Sequence, residues 1–203
     1  MSAWSDFYPD LLVHLPACPL PTADFALRRA AQEFLSRTRL WREWLDAVRV
    51  VNNVREYDLE VPTGATVVRI EQCTVNGQPM PVLSHNGLQS NYQEAAAPVA
   101  GIVSRDRETF HLTRPLPAGS LVATEVSLMP SHSSKGIPND LFAQHAEDIV
   151  AGAKHRLFLI PAFLNGDLSM SAKAVFEAAI ASKTVVAWRG ATGSVPRVRA
   201  RFC

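Results

Sequence analysis

Apolar positions recur at three- and four-residue steps over 22–45. Leu27, Ala31, Phe34, Thr38, Trp41 and Leu45 fall on one side, and Arg28, Arg29, Gln32, Glu33, Arg37, Arg39, Arg42 and Glu43 fill most of the rest. The pattern predicts a first helix over 22–45. Pro21 and Thr22 open it, because proline cannot extend a helix backwards and threonine can cap free backbone amides. Beyond it the period shortens. Residues 48–51, 57–61, 66–70, 73–75, 109–113 and 121–128 are β-branched and close to alternating, which predicts half-buried strands. Asn76-Gly77 is a hairpin signal, since both residues tolerate positive φ. Residues 84–107 keep no period and read as a long loop, of a length usually tied to function or an interface.

Two further helical runs follow. The first, over 139–160, is capped by Asn139 or Asp140 and carries Phe142, Ala146, Ile149, Ala153, Arg156 and Ile160 along one side. The second, over 169–189, puts Val175, Ala178, Ala181, Val185 and Trp188 on one face and stops at Gly190 and Gly193. Helix, strands, two helices is an α+β order. The predicted architecture is a helical scaffold of one N-terminal and two C-terminal helices, with a small antiparallel β region inserted over 48–128 and an extended C-terminal tail. The organisation reads as an N-terminal arm over 1–21, a main domain over 22–190 and a basic tail over 191–203.

Composition narrows the function classes. The 203 residues are 47% hydrophobic and 19% charged, which suits a subunit that buries surface against neighbours. A formal net charge of +1 argues against a dedicated nucleic-acid binder but is compatible with a local basic patch. Cys18, Cys73 and Cys203 are far apart and form no CxxC, which fits a reducing compartment and argues against a zinc ribbon or disulfide scaffold. Neither a signal peptide nor an apolar run of roughly 20 residues is legible, so the expectation is assembly in a cytosol with no membrane partner.

Candidate chemistry is sparse. His145 and His155 are ten residues apart, and His14, His85, His111 and His132 have no Cys or acidic neighbour at ligand spacing. Ser131-His-Ser-Ser-Lys-Gly136 is neither SxxK nor GxSxG, and Gly190-Ala-Thr-Gly193 lacks the lysine of a phosphate loop. No catalytic, cofactor or metal residue is therefore assigned. Trp41, Trp44, Phe142, Phe158 and Trp188 lie near helix faces and read as core, whereas Trp4, Phe7 and Tyr8 precede the first helix and read as anchors onto the domain or a neighbour. In the tail, Arg197, Arg199 and Arg201 alternate with Val198, Ala200 and Phe202, the period of a strand with one basic and one apolar face. Two readings stay open there: a frayed end, or a strand added to another subunit.

Several short pieces together carry a resemblance. They are Cys18-Pro-Leu-Pro21, Ala26-Leu-Arg-Arg-Ala-Ala-Gln-Glu-Phe34, Leu40-Trp-Arg-Glu43, Glu56-Tyr-Asp-Leu59, Pro62-Thr-Gly64, Leu128-Met-Pro130, Pro138-Asn-Asp-Leu-Phe142 and Arg197-Val-Arg-Ala-Arg-Phe202. In them the chain resembles the head-to-tail adaptor (connector) proteins of tailed bacteriophages, related in role to tail tubular protein A of short-tailed phages. The resemblance implies a non-enzymatic virion protein of the neck, assembled in the host cytoplasm. Its implied partners are identical subunits in a ring, commonly twelve, the portal protein above and a tail tube or nozzle protein below. DNA would pass through the channel without sequence-specific binding. On this reading Arg197, Val198, Arg199, Arg201 and Phe202 bind the portal or a neighbouring subunit, and Tyr92 anchors a subunit or tail interface. The rival readings are another tail-tube or tail-completion protein, or a small cytosolic enzyme whose site is dispersed in sequence.

Overall fold

In the computed structural model, which describes residues 1–83 and 100–189, the backbone divides into two units. One comprises Met1–Leu40 and the residues from Lys135 on; the other is Trp41–Ser134.

The first unit is helical. Helix α1 (Tyr8–Leu12) is short, α2 (Leu20–Thr38) and α3 (Asn139–Leu157) are 19 residues each, and α4 (Gly166–Arg189) has 24. Helix α2 begins with Pro21 in its first turn, where a missing N–H costs nothing. It ends when Arg39 turns left-handed (φ 55°) and donates its N–H to the Leu35 carbonyl, 2.9 Å away. Leu27, Ala30, Ala31, Phe34 and Leu35 are buried, as are Ile149, Ala153 and Leu157 of α3 and Phe176 and Ile180 of α4. The N-terminal residues are fastened to this unit. Strand β1 (Ser2–Ala3) pairs with β10 (Gly136–Ile137), Trp4 and Phe7 are buried, and Phe7 meets Phe142 edge-on at 4.7 Å. The Tyr8 hydroxyl donates to Asp24 Oδ1 at 2.6 Å, a bond that helps push the phenol up to about 12.

The second unit is a β structure. A five-stranded sheet runs β2 (Arg42–Trp44), β9 (Leu121–Pro130), β5 (Ala65–Val75) and β6 (Gln78–Met80), with β3 (Val48–Arg49) also on β9. A three-stranded sheet runs β4 (Glu56–Asp58), β8 (Thr109–Leu112) and β7 (Ile102–Val103). All strand pairings within these sheets are antiparallel. The Asn76-Gly77 hairpin is present, with both residues at positive φ. Tyr57 stacks on Phe110 at 5.6 Å, and its hydroxyl accepts the Val51 N–H and donates to the Val54 carbonyl.

The longest strand departs from simple alternation. In β5, Val67 faces Leu128 but Arg69 faces Ser127, and Ile70 faces Val126 while Gln72 faces Glu125. Val68 and Glu71 are thus extra residues, two β-bulges in one strand. The inward positions become Ala65, Val67, Ile70 and Cys73.

The predicted helical scaffold with a small β insertion is therefore corrected. The class is α+β, but the strands form three antiparallel sheets, two of them within residues 41–134, which form a unit with their own buried residues. Three local expectations change with it. The first helix stops at Thr38, not 45, and Trp41 and Leu45 belong to the β unit, where Arg42–Trp44 takes its backbone partners from β9. The strands expected at 66–70 and 73–75 are one strand. The loop expected over 84–107 contains β7 in its described part, with Ile102 and Val103 buried; 84–99 lie outside the described residues.

Two substitutions test this packing. Trp41 is 5% exposed and its indole N–H donates to Glu43 Oε1 at 2.8 Å, whereas Trp44 is 51% exposed. Trp41→Ala should lower stability by about 3–5 kcal/mol in denaturant unfolding, and Trp44→Ala by under about 1. Gly152 of α3 lies under the Phe176 ring, and a Cβ there would come within 2.6 Å of it. Alanine favours a helix by about 1 kcal/mol over glycine, but overpacking costs about 1–3. Phe176 is buried beside Phe34 and cannot yield, so Gly152→Ala should lower the unfolding midpoint despite the propensity gain.

Candidate assembly surface

Helix α4 is apolar on nearly every side. Its inward side chains are Ser169, Phe176 and Ile180. Its outward side carries Leu168, Met170, Val175, Val185 and Val186, of which Met170 is 71% and Val175 56% exposed. Alanines and serines fill the outward positions between them, and Lys173, Glu177 and Lys183 fall on the flanks. Leu168, Ser171, Val175, Ala178, Ser182 and Val185 follow three- and four-residue steps, the seam of a helix that packs against another helix. Val175, Ala178, Ala181 and Val185, expected on one face, are all exposed, and the buried stripe is the opposite one. The Trp188 side chain lies outside the described residues.

The start of α4 is held firmly. Asn165 Oδ1 accepts the Leu168 N–H at 3.1 Å, and its carbonyl accepts the Ser169 N–H at 3.0 Å. Farther along, Arg37 of α2 grips Glu177 with both terminal nitrogens, at 2.7 and 2.8 Å. That fork holds Glu177 below the usual carboxylate range and raises Arg37. Glu33 extends the chain of charges to Arg37 and to Arg156 of α3. These groups are well exposed, so the network fixes geometry more than it adds stability.

Beside the seam, α1, α3 and α4 enclose a groove of about 510 Å³, floored by Val150, Ala151, Phe158 and Ala172 and continued by Leu168 and Val175. Asp10, His14, Glu147 and Lys154 stand on its rim. Partial burial lowers the Lys154 ammonium, with Asp10 pulling the other way.

The same helix pair brings a serine and a histidine together. His155 Nδ1 lies 2.9 Å from Ser169 Oγ, and Ser169 Oγ donates to the His155 carbonyl at 3.1 Å. Nδ1 also lies 3.2 Å from the Ser169 carbonyl, an acceptor, so an Nδ1–H tautomer satisfies both contacts while the hydroxyl bonds the His155 carbonyl. Ser169 is also only 2% exposed, which closes it to a substrate. The pair joins the end of α3 to the start of α4.

Elsewhere the predicted reactive residues stay apart. Among the described residues no group of His, Cys, Asp and Glu could hold a metal ion. Cys18 and Cys73 are buried free thiols; burial raises both, Cys73 to about 11, so neither is a thiolate at neutral pH. The Ser131 N–H donates to the Gly64 carbonyl at 2.8 Å, beside the Ala65–Pro130 end of the β5–β9 ladder. His111 pairs with Glu56 at 3.1 Å across β4 and β8 on an exposed surface. No helix among the described residues is long and apolar enough to cross a membrane. The assigned partner residues Tyr92, Arg197, Val198, Arg199, Arg201 and Phe202 lie outside the described residues. Compared with known proteins, the chain matches no family profile and no curated sequence.

His145 of α3 makes the support of this surface sensitive to acid. It is 5% exposed, lies 5.4 Å from the Phe34 ring, and its Nδ1 stands 3.5 Å from Asp148 Oδ2. Burial lowers its pKa first and Lys183 second, against the opposing pull of Asp148 and Asp140. With the folded value below the unfolded one, the unfolded chain takes up this proton first as pH falls. Stability should therefore be intact above the ordinary histidine value of about 6.5 and decline below it. Unfolding midpoints measured from about pH 7 to pH 5 should show that decline, and His145→Gln should flatten it.

Proposed function

We propose that the protein is a structural subunit of a tailed-phage neck, a head-to-tail adaptor that closes into a ring of identical copies beneath the portal and receives the next tail component. The observation that carries this reading is the uncharged outward side of α4. A helix apolar all round is normally buried, and here half of it has no cover among the described residues. The adjoining groove extends the apolar surface. Identical subunits with such faces close into rings through head-to-tail contacts. The sequence resemblance supplies the phage context. Among the described residues the His155–Ser169 pair is closed to a substrate, with Ser169 only 2% exposed. In the assembled neck the basic tail over 191–203 docks on the portal or a neighbouring copy, and the segment around Tyr92 faces the tail.

Assembly can be read by mass photometry and negative-stain microscopy of the protein alone and mixed with its portal. Wild type should give rings, alone or on the portal. Val175→Lys with Val185→Lys places two charges on exposed helix positions that tolerate lysine well. The double variant should keep its circular dichroism and melting behaviour but lose ring formation. Wild-type protein that stays monomeric under both conditions would end the adaptor reading.

A further inference from the structure

The β unit holds a second cleft, of about 440 Å³, whose chemistry differs from that of the α4 surface. Val67, Ile70, Val82 and Leu83 line it together with Arg69, Arg105, Arg107 and Ser104. From this arrangement we infer that the cleft is a phosphate-binding site, and that its ligand is the backbone of nucleic acid.

Two features of the backbone present these arginines. Bulges at Val68 and Glu71 flank Arg69, and the Ser127 hydroxyl donates to the Arg69 carbonyl at 3.2 Å between them. Bulges re-aim side chains, and here consecutive residues from Val67 to Ile70 all reach one cleft. Arg107 sits at φ 67°, a left-handed conformation unfavourable for a residue with a Cβ. The turn holds it there: Ser104 Oγ accepts the Arg107 N–H at 3.2 Å, and Asp106 Oδ1 accepts the N–H groups of Thr109 and Glu108 at 2.8 and 2.9 Å. Asp106, the acid nearest in sequence to both Arg105 and Arg107, is thereby occupied within the turn. Arg105 makes a further contact of its own, so Arg69 and Arg107 carry the inference.

Arginines that line one cleft from two separate elements suit phosphate better than a carboxylate. A carboxylate is satisfied by one arginine fork, whereas a phosphate offers oxygens to several at once. Contacts of this kind grip the backbone and read no bases. The inference goes beyond the adaptor reading and does not rest on it, because the cleft belongs to one chain and needs no ring.

The test uses the full chain, with anisotropy of a short labelled DNA duplex over a salt series and calorimetric titration of inorganic phosphate. Arg69→Gln with Arg107→Gly should weaken duplex binding roughly ten-fold and flatten the dependence of log affinity on log salt by about one to two. Glycine accepts the left-handed turn, so the melting temperature should stay level or rise. Arg69→Lys with Arg107→Lys, which keeps both charges, should retain most of the duplex affinity. Duplex and phosphate binding both unchanged in the Gln/Gly variant would overturn the site, and a loss confined to inorganic phosphate would overturn the nucleic-acid ligand.

Discussion

Helix α4 is fastened to its unit along one narrow stripe, and the surface chemistry of that unit depends on this. Phe176 fits against Gly152 because α3 has no side chain at that point, and Ile180 continues the contact one turn on. Asn165 and the His155–Ser169 pair set where the helix begins, and the Arg37–Glu177 fork sets its rotation. With so much of the helix committed to so few contacts, its remaining circumference points outward. Its apolar character then becomes a property of the protein's surface and not of its core.

The two units divide the work in physical terms. The helical unit offers area without charge, where affinity comes from burying apolar surface and specificity from shape. The β unit offers fixed positive charge at a cleft, where attraction is long-ranged and weakened by salt. The first kind of contact is durable once made, and the second yields as salt rises.

Individual elements were legible in the sequence, the architecture that joins them was not, and the errors have identifiable causes. Leu27, Ala31, Phe34 and Thr38 announced α2 correctly, and Asn76-Gly77 announced its hairpin. Trp41 and Leu45 misled because residues four apart share a face in a strand as well as in a helix. Nothing in the residue type of Arg39 signals the left-handed turn that separates the two elements. In α4 both faces read as apolar, so periodicity could not choose the inward one; Gly152, a hundred and more residues from α2 in sequence, made the choice through Phe176. The arginine cleft was invisible for a different reason. Arg69 and Arg107 are far apart in the chain, and only the pairing of the strands brings them to one place.

The paired bulges of β5 carry a consequence for how this strand can change over time. Each extra residue is absorbed at its own bulge, and Arg69 and Gln72 resume the pairing with the next residues of β9. Loss of Val68 alone would set Val67 and Arg69 against Leu128 and Ser127 in an unbroken ladder, with Ile70 and Cys73 still inward. Loss of Glu71 would do the same between Ile70 and Gln72. Single-codon deletions at these two positions are thus open, whereas a deletion elsewhere in the strand would exchange inside and outside for the residues on one side of it. A lineage that lost both bulges would keep its fold and lose the re-aimed arginine.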